Sequence, residues 1–396
     1  MLYSREATAR PTRGSAQSVS GSVMVTAAPG GLGAAPEAPT HTHSGRRNGL
    51  RNPAAIVAGG AGFLGSHLCD RLLAEGYRVY CIDSLYTGRL SNLEHLSGEA
   101  RFSLMELDVR SPLPAVSGVT EIYNLASPAS PIHYQSDPVH TVTTNVMGTL
   151  NLIELAATLG ARFLQASTSE VYGDPEIHPQ PESYRGCVSP TGPRACYDEG
   201  KRVAESICYD FLRLKHVDVR VTRIFNTYGP RMRADDGRIV SNLITQALQG
   251  EPLTIYGTGT QTRSFCYVSD LIEGMRRLAS LAQPPRTPVN LGNPEEFTVL
   301  ELAGVVMRLT HRNASILYKP LPQDDPQRRR PDIRLAARLL NWQPCVPLEE
   351  GLKSTIDWFA QNDDVPHKLV VEPRDPRMAR PVLSVSGALA IRGVEP

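Results

Sequence analysis

The stretch "VAGGAGFLGSHL", Val57–Leu68, decides how the rest of this chain folds. An apolar run, "AAIVAG", leads into it, and an amphipathic pattern with helical spacing, "FLGSHLCDRLLAEG", leaves it. Between them stand Gly59, Gly62 and Gly65 in the spacing G-x-x-G-x-x-G. A strand that turns directly into a helix beside a bound pyrophosphate needs glycine three times. One allows the tight turn, one lets the backbone approach the phosphates, and one lets helix and strand pack closely. The helix start then offers N–H donors and a favourable dipole to the anion, with Phe63 and Leu64 at the same edge. The next β-branched run, "RVYCID", ends in Asp83 about 20 residues on, where a carboxylate accepts both adenosine ribose hydroxyls. The same carboxylate repels a 2′-phosphate, so the pattern predicts NAD rather than NADP. Asp108 and Val109, after "RFSLMEL", fall where an adenine contact is expected.

Outward from this stretch the rhythm persists. "EIYNLA", "TTNVMGTLNLIELAATLG" and "ARFLQAS" continue an alternation of strand and helix that predicts an α/β fold, a Rossmann-type doubly wound parallel sheet. After about residue 225 prolines, glycines and charged loops become denser, as in a smaller C-terminal lobe that covers substrate. The reading is an NAD-binding core over about 53–225 and a substrate lobe built mainly from about 226–362. Residues 1–50 are rich in Ala, Gly, Ser, Pro and Thr without sustained periodicity, and 365–396 mix Pro and Arg, so both ends read as disordered. Lys and Arg number 41 against 40 Asp and Glu, a formal net charge of +1, which gives no field to draw in nucleic acid or an anionic membrane. A small-molecule partner fits better. Seven widely spread cysteines without a CxxC pair read as reduced thiols, not disulfides or a zinc site. No apolar run reaches the roughly 18 residues of a bilayer span, and the cytoplasm is the expected location.

Two further patterns carry chemistry. In "CYDEGKRVAE" Tyr197 and Lys201 lie four apart on an expected helix, hence on one face. A phenol titrates near 10, too high for a base at neutral pH, so a neighbouring ammonium and a positive nicotinamide are needed to stabilise the phenolate. In "STSEVYGDP", Ser167–Pro175, hydroxyls and a carboxylate follow the apolar "ARFLQA". If that run is a parallel strand, Thr168 and Glu170 stand at its ligand-facing end. By themselves these residues read as a polar turn; beside the glycine loop and the Tyr–Lys pair they complete a site for an oxidisable alcohol.

At this point residues 53 to about 360 resemble the extended short-chain dehydrogenase/reductase family of nucleotide-sugar enzymes, and within it the branch that decarboxylates UDP-glucuronate. The segments that carry the likeness include "GGAGFLGSHL", "NLASPASPIHY", "ASTSEVYGDPEIHPQPE", "GPRACYDEGKRVAE", "RIFNTYGPRM", "GTGTQTRSFCYVSDL" and "DDPQRRRPDI". The resemblance implies NAD-dependent conversion of UDP-glucuronate to UDP-xylose through a 4-keto sugar. It implies Tyr197 as base on the sugar 4-hydroxyl, Lys201 as its partner, Thr168 as hydrogen-bond support, Glu170 as the decarboxylase acid and Arg329 at the sugar end. It implies a nucleotide-sugar pocket from Tyr134, Asn226, Tyr256, Gln261 and Arg263, with Arg238 at the cofactor wall, and a homodimer joined through segments near 138–158 and 196–214. Three departures from the family pattern stand out: Ser84-Leu85 after the ribose acid, Thr143 for a lysine, and Arg185 for a tryptophan. A 4,6-dehydratase would need an acid immediately before the glutamate, where this chain has Ser169. A 4-epimerase needs no glutamate at 170, and a non-catalytic NAD-binding regulator could have lost Tyr197, Lys201 or Glu170; all three are present.

Overall fold

The computed structural model describes residues 53–321 and 328–362; the arm expected at 1–50 and the tail expected at 365–396 lie outside them. The chain opens with strand β1 (Ala54–Ala58), helix α1 (Phe63–Ala74), β2 (Arg78–Asp83), β3 (Phe102–Glu106) and β4 (Val119–Asn124). Helices α2 (Pro131–Ser136) and α3 (Pro138–Leu159) lead to β5 (Arg162–Thr168), and α4 (Ala195–Leu214) leads to β6 (Val219–Ile224). There follow β7 (Thr227–Tyr228), α5 (Ile239–Gln249), β8 (Leu253–Tyr256), β9 (Thr262–Ser264), β10 (Cys266–Tyr267), α6 (Val268–Ser280) and β11 (Val289–Leu291). The remainder is β12 (Glu296–Thr298), α7 (Val299–Leu309), β13 (Ile316–Lys319), β14 (Arg328–Arg329), α8 (Arg334–Leu340) and α9 (Leu348–Gln361).

Seven strands form one parallel sheet in the order β3-β2-β1-β4-β5-β6-β11, the doubly wound topology expected from the alternating pattern. Its order reverses between β1 and β4. Every residue of β1 is buried, because a central parallel strand is covered on both faces and so reads as a continuous apolar run. Ala55 and Val57 pack on one side with Leu68 and Leu72 of α1 and Leu271 and Met275 of α6. Ala54, Ile56 and Ala58 pack on the other with Leu152 and Ile153 of α3 and Cys208 and Phe211 of α4. Period 2 along the strand thus sorts its side chains between two helical layers.

A second core joins Leu243 and Ile244 of α5, Leu253 and Ile255 of β8, Leu302 and Val306 of α7, and Leu352 and Phe359 of α9. It is edged by two small sheets, β8 with β13 and β9 with β12 and β14. Helix α7 starts with a capping box: Thr298 Oγ1 accepts from the Glu301 N–H at 3.1 Å, and the Glu301 carboxylate accepts from the Thr298 N–H at 2.7 Å. The chain does not stay in this lobe after residue 226. Helix α6 and strand β11 return to the main sheet, and Ala336, Leu340 and Trp342 pack into its core. Among the described residues no helix is long and apolar enough to cross a membrane.

Candidate functional site

The C-terminal ends of the sheet strands meet at the point where the strand order reverses, and a crevice opens there, as open α/β sheets require. Gly59, directly after β1, has φ +78°, and a Cβ on it would lie 2.7 Å from the Leu125 carbonyl carbon at the end of β4. A Cβ on Gly65 would lie 2.0 Å from the Gly59 carbonyl oxygen, so α1 can close on the loop only with glycine there. Gly62, the N-cap of α1, has no such crowding and faces two adjoining cavities.

One cavity is walled by Asp83, Tyr86, Asp108, Val109 and His140, with Ser84 beside them. Asp83 is 8 % exposed; its two oxygens accept N–H bonds from Ala61 at 2.9 Å and Leu85 at 2.8 Å. Burial pushes its carboxyl upward, and these two N–H donors hold it back. Asp83 therefore ties the glycine loop to the end of β2 as well as facing the cavity, a positioning duty that the sequence reading missed. Asp108 is engaged by the Arg110 guanidinium at 2.6 Å, and the Tyr86 and His140 rings stack at 4.1 Å. A bare glycine wall next to a buried carboxylate and aromatic rings fits the adenosine diphosphate half of NAD.

The second cavity gathers most of the other expected residues. Phe63, Leu64 and Gly65 line its loop side, Thr168 and Glu170 its floor, and Tyr197, Lys201, Asn226 and Arg238 the remaining walls. Thr168 ends β5, and its Oγ1 accepts the Glu170 N–H at 3.2 Å, which starts the single turn Ser169–Tyr172 and brings the carboxylate over the strand end. Burial raises the Tyr197 phenol well above 10; Thr168 and Arg238 favour its ionised form, while Glu170 and Asp198 oppose it. Lys201 does not donate to the phenol. Its Nζ, 5.8 Å from the Tyr197 ring centre, donates to the Ala166 carbonyl at 2.9 Å, and burial lowers it to about 8. Its ammonium thus stands near the Tyr197 ring while tied to the end of β5.

Glu170 is held from two sides. Arg329 of β14 binds it with both terminal nitrogens, at 2.5 and 2.9 Å, and Arg194, the N-cap of α4, reaches it at 2.5 Å. Burial alone would raise this carboxyl, but the charges of Arg329 and Arg194 outweigh it and bring it down to about 2. Glu170 therefore stands as a carboxylate at neutral pH in the ligand-free chain. Arg194 was not picked out from the sequence, although its place three residues before Tyr197 on the same helix start was a usable signal.

Other expected residues lie elsewhere. Tyr134 is buried behind the cavity, its ring stacked on that of Tyr197 at 5.0 Å and 5°. Arg329 meets the site through Glu170. Tyr256 is exposed at the end of β8, its carbonyl accepting from Gln261 Nε2 at 2.6 Å, and Arg263 is buried on β9 beside β14. None of these three is among the residues that line the cavity, though Arg263 stands in register with Arg329, which holds Glu170. Thr143 turns back on its own helix, bonding the Val139 carbonyl at 2.7 Å. All seven cysteines are free, and no cluster of metal-ligating side chains occurs among the described residues.

Residues 55–292 match the NAD dependent epimerase/dehydratase family. The chain is 53% identical over 327 residues to UDP-glucuronic acid decarboxylase 1 of Danio rerio, covering 82% of this chain and 77% of that one. It is 53% identical over 316 residues to UDP-glucuronic acid decarboxylase 2 of Arabidopsis thaliana, covering 80% and 69%. Among solved structures it is similar to the UDP-glucuronic acid 4-epimerase of Bacillus cereus in complex with UDP-glucuronic acid and NAD, with a TM-score of 0.69, 28% identity and coverage of 78% and 99%. It is also similar to the UDP-glucose 4-epimerase of Thermotoga maritima, with a TM-score of 0.71, 27% identity and coverage of 78% and 98%. With the glycine loop, the switch-point crevice and the Tyr–Lys helix all in place, the chain belongs to the NAD dependent epimerase/dehydratase family.

Proposed function

We propose that this protein decarboxylates UDP-glucuronate to UDP-xylose. The observation that carries the reading is the Glu170 clamp beside Tyr197 and Thr168: two guanidinium groups face one carboxylate, so one positive charge is left to receive a carboxylate on the substrate. Relatives named UDP-glucuronic acid decarboxylase, 51% to 55% identical over most of their length, support it. Ser169, buried and neutral where a dehydratase needs an acid, weighs against loss of water from C6.

The chain's own groups then divide the work. When bound, NAD supplies the hydride acceptor for C4 and a positive nicotinamide that favours the Tyr197 phenolate. Tyr197 takes the proton of the sugar 4-hydroxyl, and Thr168, at the same strand end, holds that oxygen. Once C4 is a ketone, the C6 carboxylate belongs to a β-keto acid. Carbon dioxide leaves with the C5–C6 bond, and the electron pair moves onto O4 as an enolate facing the Tyr197 and Thr168 hydroxyls. C5 takes up a proton, and with C4 restored to an alcohol the product would be UDP-xylose, so one proton is consumed and no net oxidation occurs. Lys201 ties the end of β5 to α4 through the Ala166 carbonyl. The Glu170 carboxylate holds the two arginines in place.

The homodimer belongs to the same reading. Val139 and Met147 on α3 and Val203 on α4 are exposed large apolar side chains on helices that pack side by side, which fits a second copy docking there. Seven free thiols fit a reducing compartment such as the cytoplasm. The test is incubation of the NAD-loaded protein with UDP-glucuronate, following carbon dioxide and UDP-xylose. Release of UDP-galacturonate without carbon dioxide would replace this reading with 4-epimerisation.

A further inference from the structure

Behind the Glu170 clamp lies a carboxylate that the mechanism above does not use. Asp198 follows Tyr197 on α4, is 6 % exposed, and its Oδ1 is buried without a hydrogen-bond partner. An acid in the first turn of a helix is ordinarily a cap or a solvated partner of the dipole. Asp198 is neither exposed nor capping. Two groups that interact with it electrostatically also carry a buried polar atom without a partner, the Tyr134 hydroxyl from α2 and Nε of Arg329 from β14. The charged and titratable groups that face it are Glu170 from the turn after β5, Arg329 from β14, Tyr134 from α2, and Arg194, Cys196, Tyr197 and Glu199 from its own helix end.

We infer that Asp198 is a positioning residue that sets the net charge of the Glu170–Arg194–Arg329 clamp, and thereby the affinity for a sugar carrying a carboxylate. Neutral, it leaves the clamp with one uncompensated positive charge. Ionised, it cancels that charge, and a substrate carboxylate then enters a site with no positive charge to spare. Burial and the Glu170 anion push its carboxyl up to about 7, against the pull of Arg194 and Arg329, so the change falls within the working range of pH. Because its value is raised, the neutral form prevails below about 7 and is lost as pH rises. Linkage is reciprocal: an arriving carboxylate raises Asp198 further, so binding takes up a proton.

This rests on the decarboxylase reading, and the experiment keeps the two apart. KM for UDP-glucuronate and the inhibition constant of UDP-xylose are measured from about pH 6 to about pH 8.5 in the NAD-loaded wild type and in Asp198→Asn. UDP-xylose has the same diphosphate and lacks only the carboxylate. In the wild type KM rises with pH on the order of 5-fold or more, while the UDP-xylose constant stays level; in Asp198→Asn, KM is level too. A KM that is level in the wild type, or that rises equally in Asp198→Asn, overturns the inference even if carbon dioxide is released normally. Calorimetry on the wild type in buffers of different ionisation enthalpy gives a second measure that needs no variant. Near pH 7.5, UDP-glucuronate binding takes up a proton and UDP-xylose binding takes up none; equal uptake for both overturns the inference. Absence of carbon dioxide at every pH refutes the decarboxylase reading itself and removes this inference with it.

Discussion

Tyr197 and Glu170 sit at the same strand end but are pushed in opposite directions, the phenol upward by burial and the carboxyl down to about 2 by two arginines. Their substitutions therefore separate. Tyr197→Phe keeps the ring that stacks on Tyr134 and removes the base, so turnover falls at least about 100-fold while NAD binding holds; equilibrium NAD titration beside steady-state rates checks both halves. Glu170→Gln frees Arg194 and Arg329 from their counter-charge. UDP-glucuronate still binds, and UDP-xylose forms at least about 10-fold more slowly, about 1.4 kcal/mol on the barrier; wild-type rates in single-turnover measurements would reject the role assigned to Glu170. What was legible at this scale followed from short-range spacing. Gly59, Gly62, Gly65 and Asp83 form one strand–loop–helix–strand unit, and Tyr197 and Lys201 lie one helical turn apart. The Glu170–Arg329 pair spans 159 residues, so no local period announces it, and only the likeness to a family pointed there. Asp198 has the sequence context of any helix-start acid, because burial is not written in its neighbours.

Elements repeat this division between local and distant causes. The sheet and its helices follow from alternating apolar runs, and α1 is placed by its own loop. Gly65→Ala drives a methyl into the Gly59 carbonyl, 2.0 Å away, and costs about 1–3 kcal/mol of stability together with NAD affinity. Gly304→Ala in α7 is the matched control: its Cβ meets nothing within 4 Å, so better helix propensity stabilises the protein by about 0.5–1 kcal/mol. Thermal melts of the two variants should move in opposite directions. The return of α6 and β11 to the first layer was not legible, because β11 has only three residues and no pattern of its own. Likewise, Tyr256, Gln261 and Arg263 share a sequence motif but are not among the residues that line the main cavity.

At the scale of the whole molecule, two expectations follow from surfaces rather than single contacts. Asp83 makes NAD bind more tightly than NADP, and equal affinities by competitive titration would remove the assignment. The dimer proposed from the exposed apolar residues of α3 and α4 predicts paired chains at micromolar concentration, and sedimentation velocity showing monomer alone would count against it. The late strand β11 also bears on how the protein is made. During translation β6 is finished while its neighbour in the sheet, some 65 residues farther on, is still unmade. At about 5–20 residues per second that leaves an open β edge for about 3–13 s. The nucleotide-binding half is thus first in sequence and not first to be complete. A nascent chain stalled near residue 225 would present the longer strand β6 to other chains, whereas in the finished sheet the three-residue β11 covers Thr222–Ile224 and leaves a shorter edge.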